Sequence, residues 1–154
     1  MDEAISLRRA NESDAADIAA LTREAYSRWI AILGREPLPM RVDYHDAVRR
    51  HRFDLLHAGD RLAALIETAP DGDSLLIVNV AVRPGMQGRG LGRKLLSLAE
   101  EIATEGGFSG VRLYTNALMT ENIRLYETLG YRREREELRD VGTVVYMHKL
   151  LRPG

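Results

Sequence analysis

The chain has 154 residues, of which 45% are hydrophobic and 29% charged, with a formal net charge of -1. That size and balance fit one domain over residues 1–154, and exclude a disordered or fibrous chain and a whole-molecule field for nucleic acid or an anionic bilayer. There is no cysteine, which excludes disulfides, thiolate metal sites and a cysteine nucleophile and agrees with a reducing compartment.

The opening MDEAISLRRA is acidic where a secretory leader is basic, and no apolar run is long enough to cross a bilayer, so the expectation is a cytoplasmic protein with no membrane partner. ISLRRA alternates weakly, as a first strand does. Asn11 or Ser13 then caps a helix over 13–30, in which Ile18, Leu21, Ala25 and Trp29 recur at helical spacing. Gly34, Pro37 and Pro39 stop it, and a shorter helix follows over 43–50. FDLLHAGDRLAALIET predicts two strands about a Gly59-Asp60 turn, and PDGD, from Pro70 to Asp73, supplies the next turn. The strand after it, SLLIVNVAV, is nearly all apolar, which predicts burial on both faces. Leu91, Leu95, Leu98 and Ile102 mark an amphipathic helix over 88–105 that Gly106-Gly107 terminates. A strand at VRLYT, a helix from Thr120 to Gly130 and strands near 131–138 and 143–150 complete the chain. This order predicts an α+β fold with a mixed sheet.

The segment between the apolar strand and the long helix, RPGMQGRGLGRKLL, carries most of the functional information. A diphosphate needs donors that do not bury uncompensated charge, and the unpaired N–H groups at a helix N-terminus, aided by the helix dipole, supply them. Gly88, Gly90 and Gly92 keep side chains away from those amides, while Arg83, Arg89, Arg93 and Lys94 place charge around the rim. The glycines alternate as G-x-G-x-G, so the dinucleotide fingerprint G-x-G-x-x-G is not met. The P-loop also fails, because Leu91 and Gly92 stand where lysine and a hydroxyl are required.

NVAVRPGMQGRGLGRKLL resembles the acetyl-CoA-binding segment of the GNAT superfamily of N-acetyltransferases, with Gln87, Gly90 and Gly92 in the places of its Q-x-x-G-x-G signature. ENIRLYETLGY is similar to that family's later helix, and AYSRWIAILGREPLPMRVDY resembles a small bacterial branch. The resemblance implies an α/β/α sandwich whose mostly antiparallel sheet splays between strands 4 and 5. It implies acetyl-CoA as co-substrate, its pantetheine arm on the main chain of Val80, Ala81 and Val82 and its diphosphate on Gln87, Gly88, Arg89, Gly90, Leu91, Gly92 and Arg93. Tyr126 would be the general acid that protonates the departing thiolate; by spacing alone, Ile123, Tyr126 and Leu129 equally make a packed helix face. Asn122 is either a further cofactor contact or a helix-end residue, many members placing the asparagine where this chain has Met119, and Asn116 reads as a turn residue.

The general base is less legible. Histone-acetylating members carry a glutamate at the position of Leu76, which leaves Glu67, read as an exposed residue near a strand end, as the remaining candidate carboxylate. Tyr26, Trp29 and Tyr44 fall in the region that walls the acceptor site in this family, or simply pack. The four histidines lack metal spacing, so no metal is expected. The implied reaction is direct acetyl transfer to the primary amine of a small molecule or a peptide; a non-catalytic acyl-CoA sensor on the same fold is the alternative. No nucleic-acid partner is expected, and the resemblance allows a homodimer that no residue pattern specifies.

Overall fold

The computed structural model describes residues 4–140 and 142–151. Seven strands form one sheet: β1 (Ile5–Arg9), β2 (Arg52–Ala58), β3 (Arg61–Asp71), β4 (Ser74–Val82), β5 (Gly110–Asn116), β6 (Arg132–Arg139) and β7 (Gly142–Leu150), in the spatial order β1-β2-β3-β4-β5-β7-β6. All neighbours are antiparallel except β4 and β5. Helices α1 (Ala15–Tyr26), α2 (Trp29–Leu33) and α3 (Tyr44–Arg50) precede β2, α4 (Leu91–Glu105) joins β4 to β5, and α5 (Thr120–Thr128) joins β5 to β6.

The sheet is covered on both faces by separate cores. Ile18, Leu21 and Ala47 pack on Phe53, Leu55 and Leu65 on one side; Leu91, Leu95 and Ala99 pack on Leu56, Ile66 and Val111 on the other. Burying a leucine fully is worth roughly 1.5–3 kcal/mol, so the period-3.6 stripe of α4 is what fixes that helix to the sheet.

Three expectations are corrected. The first helix is not continuous: α1 closes through Ser27 N–H to Arg23 C=O (3.1 Å), and a tighter turn from Ile30 N–H to Ser27 C=O (3.2 Å) starts α2, which turns Trp29 into the protein. The turn after β3 is the two-residue Gly72-Asp73, with Pro70 and Asp71 still in the strand, because Gly72 takes the left-handed φ of 59° that a two-residue hairpin demands. The strand buried on both faces is β3, where residues 62–69 are all buried, whereas β4 alternates buried with half-buried positions.

β4 also carries a bulge opposite Glu67 and Thr68. Glu67 pairs with Asn79 and Thr68 with Ile77, so Val78 is an extra residue that shifts the facing of everything after it. Ile77 and Val80 both point to the α4 core, whereas Ala81 points to the α1 core. The parallel pairing of β4 with β5 ends at Ile77–Leu113, next to the bulge. Beyond it β4 continues with β3, and β5 continues with β7. The sheet therefore opens into a V at the place the resemblance implies.

Candidate active site

Two cavities occupy this V. The smaller, about 270 Å³, lies between the end of β4 and the start of α4. Gly90 caps α4 with a left-handed φ of 77° and Gly88 has φ 82°; a Cβ at either would meet nothing, so these glycines are required by backbone angle and leave the loop bare. Gly92 is helical, and a Cβ there would make ordinary contact with Val82 Cγ2 at 3.7 Å. No backbone N–H from 87 to 93 finds an acceptor of normal geometry among the described residues. Such a row of free donors at a helix start is suited to a diphosphate. Arg93 and Lys94 are exposed and carry no ion pair among the described residues. Arg83 is differently committed: it donates to Leu62 C=O (2.8 Å) and to Glu24 (2.6 Å), bracing the loop rather than charging its rim.

Val80, Ala81, Val82, Gln87, Gly88, Gly90, Leu91, Gly92, Arg93 and Asn122 all line this smaller cavity, and Arg89 does not; it faces a neighbouring depression with Arg61 and Arg83. Trp29, grouped with Tyr26 and Tyr44 by the sequence, stands here instead, with the Arg28 guanidinium 4.7 Å over its ring.

The larger cavity, about 410 Å³, runs across the open sheet from β3 to β6. Glu67 sits in its wall, and here the sequence expectation fails: Glu67 is in mid-β3 and only 3% exposed. The strand runs on through Pro70 to Asp71, which places Glu67 well inside it rather than near its end. Burial raises its carboxyl above the ordinary value of 4.5, against the pull of His51, whose Nδ1 lies 2.6 Å from Oε2. The His51 side chain is 26% exposed, so it connects the buried carboxylate to solvent. Tyr44 and Tyr26 complete this side. Tyr44 donates to Pro39 C=O (2.7 Å) and Tyr26 to Asn79 Oδ1 (2.8 Å), while Asn79 Nδ2 donates to the Tyr44 oxygen at 3.4 Å. Asn116 accepts from Leu118 N–H at 2.9 Å, the turn contact expected of it.

Four residues belong to both cavities: Tyr26, Val80, Asn122 and Tyr126. Tyr126 projects from α5 with its ring edge-on to Tyr131, centroids 6.1 Å apart, and is 7% exposed. Its hydroxyl has no hydrogen-bond partner among the described residues, and burial pushes its pKa up to about 12. It is therefore a protonated donor throughout the neutral range. Met119 occupies the larger cavity one helical turn before Asn122, its sulfur accepting from Thr115 Oγ1 at 3.6 Å.

His51, Asn79, Tyr114 and Tyr146 are site residues that sequence reasoning missed. Tyr114 and Tyr146 are directly opposed in the β5–β7 register, and His51 reaches Glu67 only through the pairing of β2 with β3. Each depends on a register that local patterning does not contain.

The same fold occurs in a solved acetyltransferase structure. A crystal structure of the PaiA N-acetyltransferase from Thermoplasma acidophilum in complex with coenzyme A superposes with a TM-score of 0.82 at 20% identity, covering 96% of this chain and 99% of that chain. The [ribosomal protein bS18]-alanine N-acetyltransferase of Salmonella typhimurium is 42% identical over 77 residues, 49% of this chain and 51% of its own length. The mycothiol acetyltransferase of Renibacterium salmoninarum is 27% identical over 124 residues, 79% of this chain and 32% of its own. The chain thus matches between about a third and a half of the length of these curated relatives. Residues 17–131 match the model of the acetyltransferase (GNAT) family, and the chain belongs to that family.

Proposed function

We propose that the protein transfers an acetyl group from acetyl-CoA directly to the primary amine of a small molecule or peptide. The observation that carries this reading is the shared wall: Tyr126 and Val80 border both the glycine-loop cavity and the cavity that holds Glu67. Two reactants entering from opposite sides would meet there, which is what a direct transfer needs. Acetyl-CoA supplies the activated acyl group. The amides of 87–93 hold its diphosphate, with Arg93 at the rim, and the free edge of β4 at Val80, Ala81 and Val82 pairs with the extended pantetheine arm.

The amine nitrogen forms its bond to the acyl carbon as the carbon–sulfur bond breaks. Tyr126 gives its proton to the departing sulfur. Glu67 takes the proton lost by the amine and passes it through His51 to water. Asn122 orients the arm, and Tyr26, its hydroxyl fixed by Asn79, holds the wall between the reactants. With no cysteine in the chain, no acyl-thiol enzyme intermediate is available.

Initial rates measured with both substrates varied test the proposal: an intersecting, sequential pattern with acetylated product is expected. Coenzyme A binding without product from any amine would instead favour a sensor module.

A further inference from the structure

We propose that the acceptor is a small amine with one positive charge, carried at one end of an apolar body about the size of a ring. This rests on the acetyltransferase reading and specifies its acceptor side. The cavity of about 410 Å³ is of ordinary small-ligand size. Five of the six tyrosines in the chain line it: Tyr26, Tyr44, Tyr114, Tyr126 and Tyr146. Between them lie Leu33, Leu38, Val42, Ile77, Leu113 and Val144. Such a wall takes an apolar body by burial and attracts a single ammonium through ring faces.

The charges are few and arranged by sign. Glu67 and Glu36 are the acids of the lining, and Arg35 and Arg139 its bases. Arg35 and Glu36 are adjacent and exposed on the segment after α2, where they offset one another. Glu67 is the buried acid, at the β3 end. The opposite end is basic: Arg139 donates to the Tyr146 hydroxyl at 2.8 Å, and the Arg135 guanidinium lies 3.8 Å over the Tyr146 ring. Glu137 contacts both arginines, which leaves that cluster with one net positive charge. Tyr114, between the ends, feels both Glu67 and Arg139.

An amine therefore enters with its ammonium toward Glu67 and its body toward Tyr114 and Tyr146. A second ammonium at the far end would meet the guanidinium groups of Arg135 and Arg139, whose excess positive charge over Glu137 repels it. Polyamines and polycationic aminoglycosides are poor acceptors on this ground, whereas a distal carboxylate is tolerated.

Matched acceptors test this: 2-phenylethylamine, pentylamine, 1,5-diaminopentane, spermidine and a tripeptide, assayed by acetylated product with saturating acetyl-CoA. The expected kcat/KM for 2-phenylethylamine and pentylamine exceeds that for 1,5-diaminopentane by at least about tenfold, and Arg139→Glu narrows or reverses the gap. Calorimetry with coenzyme A on each protein checks that its cofactor side is intact. Equal or better use of 1,5-diaminopentane or spermidine, product from the tripeptide alone, or a gap unmoved by Arg139→Glu overturns the proposed acceptor class and leaves the acetyltransferase reading standing. Product from no amine overturns both.

Discussion

The two cavities that meet at Tyr126 are built by different means. The smaller takes its donors and acceptors from the main chain of one stretch, the free amides of 87–93 and the open edge of β4, with side chains of α1, α2 and α5 closing it. The larger is made of side chains from α1, α2, α3, α5 and five strands, with a buried carboxylate, five tyrosines and a basic rim. A backbone site depends on where glycine is allowed; a side-chain site depends on which residues the sheet register brings together. The first suits a ligand that never varies, and the second is free to change its acceptor while the first stays fixed.

Substitutions at the junction should break this division most severely. Tyr126→Phe keeps the packed ring and removes the proton, so turnover should fall by about 10²–10³-fold while calorimetry finds acetyl-CoA affinity nearly unchanged. Full retained activity would end its role as acid. On the side-chain side, Glu67→Gln should lower kcat/KM by about a hundredfold near neutrality. In the unaltered protein the acidic limb of the pH profile should lie above 4.5, because burial raises the Glu67 carboxyl.

The same shift has a stability consequence. The folded chain holds the Glu67 proton more tightly than the unfolded chain, so this contribution is present below 4.5 and is lost as pH rises through the folded-state value. Glu67→Gln should flatten that part of a denaturation-versus-pH curve. An unchanged curve would mean that the carboxyl is not held up in solution.

Two glycines sharpen the backbone side. Gly90→Ala must adopt φ near 77°, costing about 1–2 kcal/mol of folding stability together with coenzyme A affinity. Gly92→Ala is helical and unobstructed within the fold, so melting temperature should hold or rise while coenzyme A affinity drops about tenfold. Loss of stability at Gly92 would show that the position is structural. The smallest effect is expected at Asn122→Ala, about a fivefold increase in KM for acetyl-CoA with kcat little changed, the scale of one hydrogen bond.

The same contrast explains what could be read in advance. Gly88, Gly90 and Gly92 announce a bare helix mouth from a few adjacent letters, and the leucine stripe of α4 fixes where that helix lies. The order of elements along the chain follows from periodicity and turn signals, and the opening between strands 4 and 5, implied by the family resemblance, is present in the fold. Glu67 is legible as a carboxylate but its burial is not, because proline and glycine both offer an end to β3 and only Gly72 takes the required backbone angle. Trp29, read as an acceptor-side wall or a packed residue, is buried and lines the glycine-loop cavity, because a turn without proline or glycine separates α1 from α2. His51 and Tyr146 were invisible, since nothing local ties residue 51 to 67 or residue 146 to 114; those meetings are set by strand pairing.

The account depends on the reactants meeting at the wall between the cavities. A crystal structure of the protein with acetyl-CoA bound tests this directly by the distance from the thioester sulfur to Tyr126 Oη. About 3–3.5 Å, with the diphosphate on the amides of 87–93 and the acetyl group opening toward Glu67, is the predicted result. A thioester lying outside the V, or a sulfur turned away from Tyr126, would contradict it.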